Sequence, residues 1–234
     1  MIYYEDLPLD KEILKALGEL QINYVFQPIF HKDGKTIYAR EALMRPVGMN
    51  VLELIEEYTK QDKLHVLEVA TFWGAAQEYF LRGYEEKISI NSFPCECFSD
   101  EEAKVFIDYY GYDESILMIE LLEYPRFSEE ISLKKKELAE IGHSVLALDD
   151  YGSGFNDMQK VELLTPHVVK IDRALLSGID TNEEKQKNCK KIIDEMHARN
   201  ILVVAEGVET KEEFDYLVGI GADLFQGYYL AKPA

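Results

Sequence analysis

The sequence predicts an α/β chain folded as a (β/α)8 TIM-like barrel with an antiparallel first strand. Three observations carry that expectation. Short β-rich runs alternate with longer helical patterns along the chain, as parallel βα units require. Eight such runs fit into 234 residues, close to the size of one barrel. An open doubly wound sheet is the alternative, but no Gly-rich phosphate loop follows the first run.

The strands are expected near 22–29 (INYVFQPI), 36–43 (TIYAREAL), 87–92 (KISINS), 115–121 (SILMIEL), 144–149 (SVLALD), 167–172 (HVVKID), 201–206 (ILVVAE) and 223–227 (DLFQG). His31-Lys32-Asp33-Gly34 reads as a hairpin turn, which sets the first strand antiparallel to the second. Helices fill most of the gaps. Asn50 with Glu53, Thr181 with Glu184 and Thr210 with Glu213 each place an acid three residues after an N-cap side chain. One domain is expected over 1–234, with 1–20 a helical lead-in and about 20–234 the barrel.

At 47% hydrophobic residues the chain has ample material for a core. No apolar run approaches the ~18–20 residues of a membrane span, and the N-terminus lacks the basic flank and apolar stretch of a secretory signal. A cytoplasmic location follows as the expectation. Cys95, Cys97 and Cys189 have no zinc-knuckle spacing and read as free, inert thiols. A net charge of −19, from 44 acids against 25 Lys and Arg, argues against long nucleic acid as a partner. A small phosphorylated ligand stays compatible if divalent cations stand between it and the carboxylates.

The strand ends carry the chemistry. Glu41, Asn91, Glu120, Asp149, Lys170, Glu206 and Gln226 each close a strand in phase with small or apolar residues two positions earlier. Period-two alternation therefore aims them at the barrel interior, at the C-terminal rim where barrel active sites sit. Any single acid at a strand end is more often a loop or cap residue; seven in phase are not so easily dismissed. Four carboxylates and an Asn at one mouth repel unless cations neutralise them. Oxygen ligands favour hard ions such as Mg²⁺ or Mn²⁺. Asp149-Asp150 fits a two-metal centre, with Asp149 bridging and Gly152 and Gly154 giving the chain freedom to turn Asp150 inward. Lys170 has two readings: it offsets the acids, or it hydrogen-bonds an attacking water or phosphate oxygen.

These residues resemble the EAL domain family, the cyclic di-GMP phosphodiesterases of bacterial signalling. EALMR (41–45) is similar to the motif that names the family. FQPI (26–29), SIN (89–91), IELLE (119–123), DDYGSGF (149–155), VVKID (168–172), AEGVET (205–210), QGY (226–228) and Pro233 follow in the family's order. EAL alone is a worthless match; the ordered series is specific. The resemblance implies hydrolysis of cyclic di-GMP to linear pGpG at two Mg²⁺ or Mn²⁺ ions. Glu41, Asn91, Glu120 and Asp149 would hold one ion. Asp149 and Asp150 would hold the other, with Glu206 reaching it directly or through water. Lys170 would orient the nucleophilic water, with Glu41, Asp149 and Glu206 completing the catalytic set. Gln226 would support the metal–water network and, with Gln27, Leu43, Arg45 and Glu209, contact substrate. Residues 151–158, including Tyr151, Gly152 and Gly154, match the family's lid and dimer-linked loop. Glu123 matches the acid that anchors this loop and is read as structural. A homodimer is implied, and a regulatory protein acting in trans stays open. Leu122, Tyr151, Phe155, Asn156-Asp157 and the SINSFPCE continuation depart from the family pattern, but none removes a metal ligand or Lys170.

Two other functions compete. One is a catalytically inactive cyclic di-GMP receptor signalling through 151–158. Against it stands an intact ligand set. The other is a barrel using Lys170 as base with Mg²⁺ to abstract a proton beside a carboxylate. That leaves EALMR and Asp149-Asp150 unexplained.

Overall fold

The computed structural model describes residues 6–110, 116–152, 154 and 156–234. Its strands are β1 (Ile22–His31), β2 (Ile37–Pro46), β3 (Lys87–Ser92), β4 (Leu117–Leu121), β5 (Val145–Tyr151), β6 (Val168–Ile171), β7 (Leu202–Ala205) and β8 (Leu224–Phe225). Its helices are α1 (Lys11–Glu19), α2 (Val51–Lys60), α3 (Leu64–Leu81), α4 (Asp100–Tyr110), α5 (Glu129–Ile141), α6 (Met158–Leu164), α7 (Arg173–Leu176), α8 (Glu183–His197) and α9 (Lys211–Ile220). The strands close into a barrel in chain order. β1 runs antiparallel to both β2 and β8, and every other adjacent pair is parallel. The first-strand reversal comes from the turn after His31, where Asp33 accepts from the N–H groups of Lys35 and Thr36 at 2.9 Å each.

The inward-facing residues of the strands form a central layer of Ile29, Ala39, Met118, Ala147, Val168, Val204 and Leu224, all buried. This layer is the floor on which the mouth is built. It fixes the inward phase of Glu41, Glu120, Asp149, Lys170, Glu206 and Gln226, each two residues beyond a floor residue. The residues of the opposite phase, such as Ile88, Ile90, Leu146 and Leu148, pack outward under the helices. α3 is the most buried helix, with Leu67, Val69, Trp73 and Ala75 fully covered. α1 lays Ile13, with Leu14 and Leu17 beside it, on the same apolar cluster as β1 and α3.

Capping follows the sequence at two of three places. Asn50 and Glu53 exchange bonds at 2.9 Å, and Thr210 and Glu213 form the same box. α8 instead starts one residue later than expected. Asn182, not Thr181, caps it by accepting from Lys185 N at 3.1 Å. β7 and β8 stop one or two residues short of their expected ends, so Glu206 and Gln226 sit just past the ladder. β1 and β2 run longer than expected, to His31 and Pro46. Residues 1–5 of the lead-in, position 115 of the fourth expected strand, and Phe155 lie outside the described residues. Among the described residues no helix is long and apolar enough to cross a membrane.

Candidate active site

Lys170 is the centre of the mouth. It leaves β6 pointing inward and is 1% exposed. Its Nζ lies 2.6 Å from Glu206 Oε1, 3.0 Å from Asp149 Oδ1 and 3.6 Å from Glu41 Oε2, and also touches Glu120 Oε1. The acids come from β2, β4, β5 and the end of β7, so the fold brings together groups as far as 165 residues apart in sequence (206 − 41). Glu41 is steered further: Oε1 accepts from Asn91 Nδ2 at 3.1 Å and Oε2 from Gln226 Nε2 at 2.7 Å. Asn91 Oδ1 is buried with no hydrogen-bond partner.

Four carboxylates around one ammonium leave the cluster strongly acidic. Burial disfavours charge on Lys170, but Asp149, Glu120, Glu206 and Glu41 outweigh that and hold its pKa well above the ordinary lysine value. The acids pay for their shared burial. Desolvation lifts Glu120 to about 8, with Lys170 opposing and Glu41 and Asp149 adding to the rise. Desolvation likewise raises Glu206 well above its usual value and raises Asp149. Only Glu41 goes down. Its burial is outweighed by Lys170 and by the donors Gln226 and Asn91. Without added positive charge, Glu120, Asp149 and Glu206 resist full ionisation.

Asp150 reaches the same region by a different route from the one expected. The pairing of β5 with β6 slips between Leu148 and Tyr151, and Asp150 itself has φ 48°. A non-glycine residue in the left-handed region inside a bulge redirects the side chain. The sequence predicts that turn at Gly152 and Gly154. The bend is made before either glycine, although Gly152 does take a φ of 92°. Asn156 Nδ2 donates to the Asp149 carbonyl and braces the bend. Burial first, then Asp149 and Asp172, push the Asp150 carboxyl up to about 7.

Two carboxylate groupings result: Glu41, Glu120 and Glu206, and Asp149, Asp150 and Glu206, each with ligand atoms within 4.8 Å of one another. The buried, unpartnered Asn91 Oδ1 adds a neutral oxygen donor at the same rim. All these donors are oxygens, which suits hard divalent cations.

A cavity of about 270 Å³ opens beside this cluster, walled by Gln27, Glu41, Glu206, Glu209, Gln226, Asp172, Arg173 and Tyr228. Gln27 donates Nε2 to the Ala231 carbonyl at 3.1 Å, and Glu209 pairs with Arg173 at 2.6 Å. Leu43 and Arg45 lie farther along β2, outside the walls of this cavity. Arg45 is exposed and donates to the Met44 carbonyl at 2.8 Å. Glu123 Oε1 accepts from Asn156 N at 3.4 Å, and its carboxylate packs against Gly154 where a Cβ would stand. Tyr151 is buried at the end of β5.

Sequence reasoning gave no role to Ser89, Asp172, Arg173 or Asn156. Ser89 Oγ donates to Glu120 Oε2 at 2.6 Å. Its inward phase with Asn91 was visible in KISINS, and only its partner was not. Asp172 is in phase with Lys170, but its second duty as the N-cap of α7 is tertiary information.

A family model described as "EAL domain" matches residues 10–233. Among curated proteins, the biofilm architecture maintenance protein MbaA of Vibrio cholerae is 24% identical, over 96% of this chain and 30% of its own length. The probable cyclic di-GMP phosphodiesterase PdeA of Escherichia coli is 27% identical, over 94% of this chain and 32% of its own length. The chain thus spans about a third of these relatives. A crystal structure of a standalone versatile EAL protein from Vibrio cholerae O395, in its c-di-GMP-bound form, superposes with a TM-score of 0.82 at 26% identity. The match covers 92% of this chain and 93% of that one.

Proposed function

The chain belongs to the EAL domain family, and from that premise we propose that it is a divalent-cation-dependent phosphodiesterase hydrolysing cyclic di-GMP to linear pGpG. One observation carries the reading: the buried ring of Glu41, Glu120, Asp149 and Glu206 around Lys170, with the unpartnered Asn91 Oδ1 on its rim. Such a ring is costly to build for structure alone, because like charges are desolvated together.

Following the family resemblance, Glu41, Asn91, Glu120 and Asp149 would hold one cation, and Asp149 and Asp150 a second. Glu206, which groups with Asp149 and Asp150 and also with Glu41 and Glu120, would reach the second directly or through water. Mg²⁺ or Mn²⁺ are ions their oxygens favour. When bound, such a pair acidifies a water and offsets charge on phosphoryl oxygens. The chain's own groups do the rest. Lys170 Nζ donates hydrogen bonds from the centre of the mouth and can aim a water or phosphate oxygen there. Gln226 and Asn91 fix the two oxygens of Glu41. Arg45, exposed beyond the rim, suits a substrate phosphate. Leu43 offers an apolar contact between Arg45 and the mouth. Gln27 and Glu209 wall the adjoining cavity, where a carboxylate acceptor suits the N–H edge of a guanine. Glu123 ties Gly154 and Asn156 to the end of β4, within the segment 151–158 through which a homodimer would form.

The test is product analysis of cyclic di-GMP incubated with protein and Mn²⁺, beside an Asp149→Asn control. Linear pGpG from the parent and almost none from the variant is the expected result. Tight binding of the dinucleotide with no pGpG would make the protein a receptor instead.

A further inference from the structure

Behind β3, on the side away from the barrel axis, lies a second buried ion pair. Glu68 of α3 and Lys135 of α5 meet at 2.7 Å and are 1% and 4% exposed. They grip the two residues that follow Asn91. Ser92 Oγ bonds both Glu68 Oε1 and Lys135 Nζ. Phe93 N donates to Glu68 Oε2 at 3.0 Å, and the Phe93 carbonyl accepts from Lys135 Nζ at 2.7 Å. One turn earlier on α5, Ser132 Oγ donates to the Pro94 carbonyl at 2.9 Å. The chain leaving β3 is thus held by directed, charged contacts rather than by apolar packing alone.

Such a pair is a poor way to gain stability, since apolar side chains of similar volume serve as well or better. What it supplies is direction. Among the cation ligands proposed above, Asn91 is the one neutral donor. It lacks the Coulomb attraction that draws a carboxylate onto a cation, so its contribution depends on where the backbone sets its carboxamide. Ser92 and Asn91 point to opposite faces of β3, so a grip on the outer face fixes the inner one.

We propose that Glu68 and Lys135 are positioning residues that set Asn91 for cation binding, an inference that rests on the reading of the mouth as a divalent-cation site. A cavity of about 150 Å³ bordered by Phe72, Phe106 and Leu138 adjoins the pair, which gives apolar replacements room to settle.

The test compares parent, Glu68→Leu/Lys135→Met, Ser92→Ala and Asn91→Ala, all stripped with chelator. Thermal melting verifies folding, and calorimetric titration with Mn²⁺ reads affinity. The double variant is expected to weaken Mn²⁺ binding about tenfold or more, the usual loss when a ligand's support is removed. It should add no further loss in the Asn91→Ala background. The Asn91 side-chain amide signal should also move in the cation-free NMR spectrum. Should the double variant not fold, Ser92→Ala carries the same comparison with one hydroxyl removed. A folded variant with the parent's Mn²⁺ affinity, or losses that add fully to Asn91→Ala, overturns the proposal. A parent that binds Mn²⁺ but leaves cyclic di-GMP intact refutes the proposed activity, while the titration still decides this one. A parent that binds no Mn²⁺ overturns both.

Discussion

Lys170 shows how one side chain answers for several. Its ammonium is the shared counter-charge of Glu41, Glu120, Asp149 and Glu206. Lys170→Met therefore strands buried carboxylates, and in chelator it is expected to lower stability in urea by about 3–5 kcal/mol. Mn²⁺ should restore part of that stability without restoring turnover. Full stability of the variant in chelator would mean the acids are neutral there. His65 is a second case. Its hydrogen bond to Glu102 at 3.0 Å raises its pKa against the effect of burial. Burial alone would raise Glu102, but bonds from His65 and the Ser99 N–H hold its carboxyl at about 2. A raised imidazole pKa stabilises fully below the unfolded value of about 6.5, and the gain is lost as pH climbs through the folded value. The melting-temperature gap between parent and His65→Ala should thus be wider at pH 5.5 than at pH 9. An equal gap would mean that only packing is lost.

At the scale of elements, legibility followed periodicity. The barrel, its reversed first strand and the inward phase of the rim were readable because alternation and turn chemistry are local. What escaped was set by neighbours. The bulge at Asp150 exists because β5 must slip against β6, and nothing in LDDYGSG states that slip. The cap of α8 at Asn182 rather than Thr181 is a choice between adjacent, equally suited residues. The ion pair Glu68–Lys135 joins positions 67 residues apart on two different helices, a pairing that no local pattern states. Capping gives a test at this scale. Thr210→Ala removes one acceptor from the start of α9 and should cost about 1 kcal/mol, with turnover unchanged. Glu213 accepts from Gly178, Glu209 and Thr210 N–H groups and so pins the loop that carries Glu206 and Glu209. Glu213→Ala is expected to cost at least about 2 kcal/mol, because those donors lose a charged acceptor. It should also raise KM for cyclic di-GMP. Equal costs for the two variants in urea denaturation would reduce Glu213 to an ordinary capping acid.

For the molecule as a whole, charge is the organising quantity. A net charge of −19 opposes compaction everywhere, but the surface share of that repulsion is screened by ordinary salt. The buried share at the mouth is screened much less, because Glu120, at 0% exposure, and its neighbours interact largely out of bulk solvent. The two shares respond differently to different cations. KCl should raise the melting temperature modestly and then saturate as the surface is screened. Mn²⁺ added on top of saturating KCl acts by mass action on the folded state alone. At a hundred times its dissociation constant it contributes about 2.7 kcal/mol, or roughly 5–11 °C for a chain of this size. Asp149 belongs to both proposed cation sites, so Asp149→Asn should respond to KCl as the parent does and lose most of the Mn²⁺ increment. If KCl abolished the parent's Mn²⁺ increment, the ions would be screening the surface, and the acids at the mouth would need another explanation.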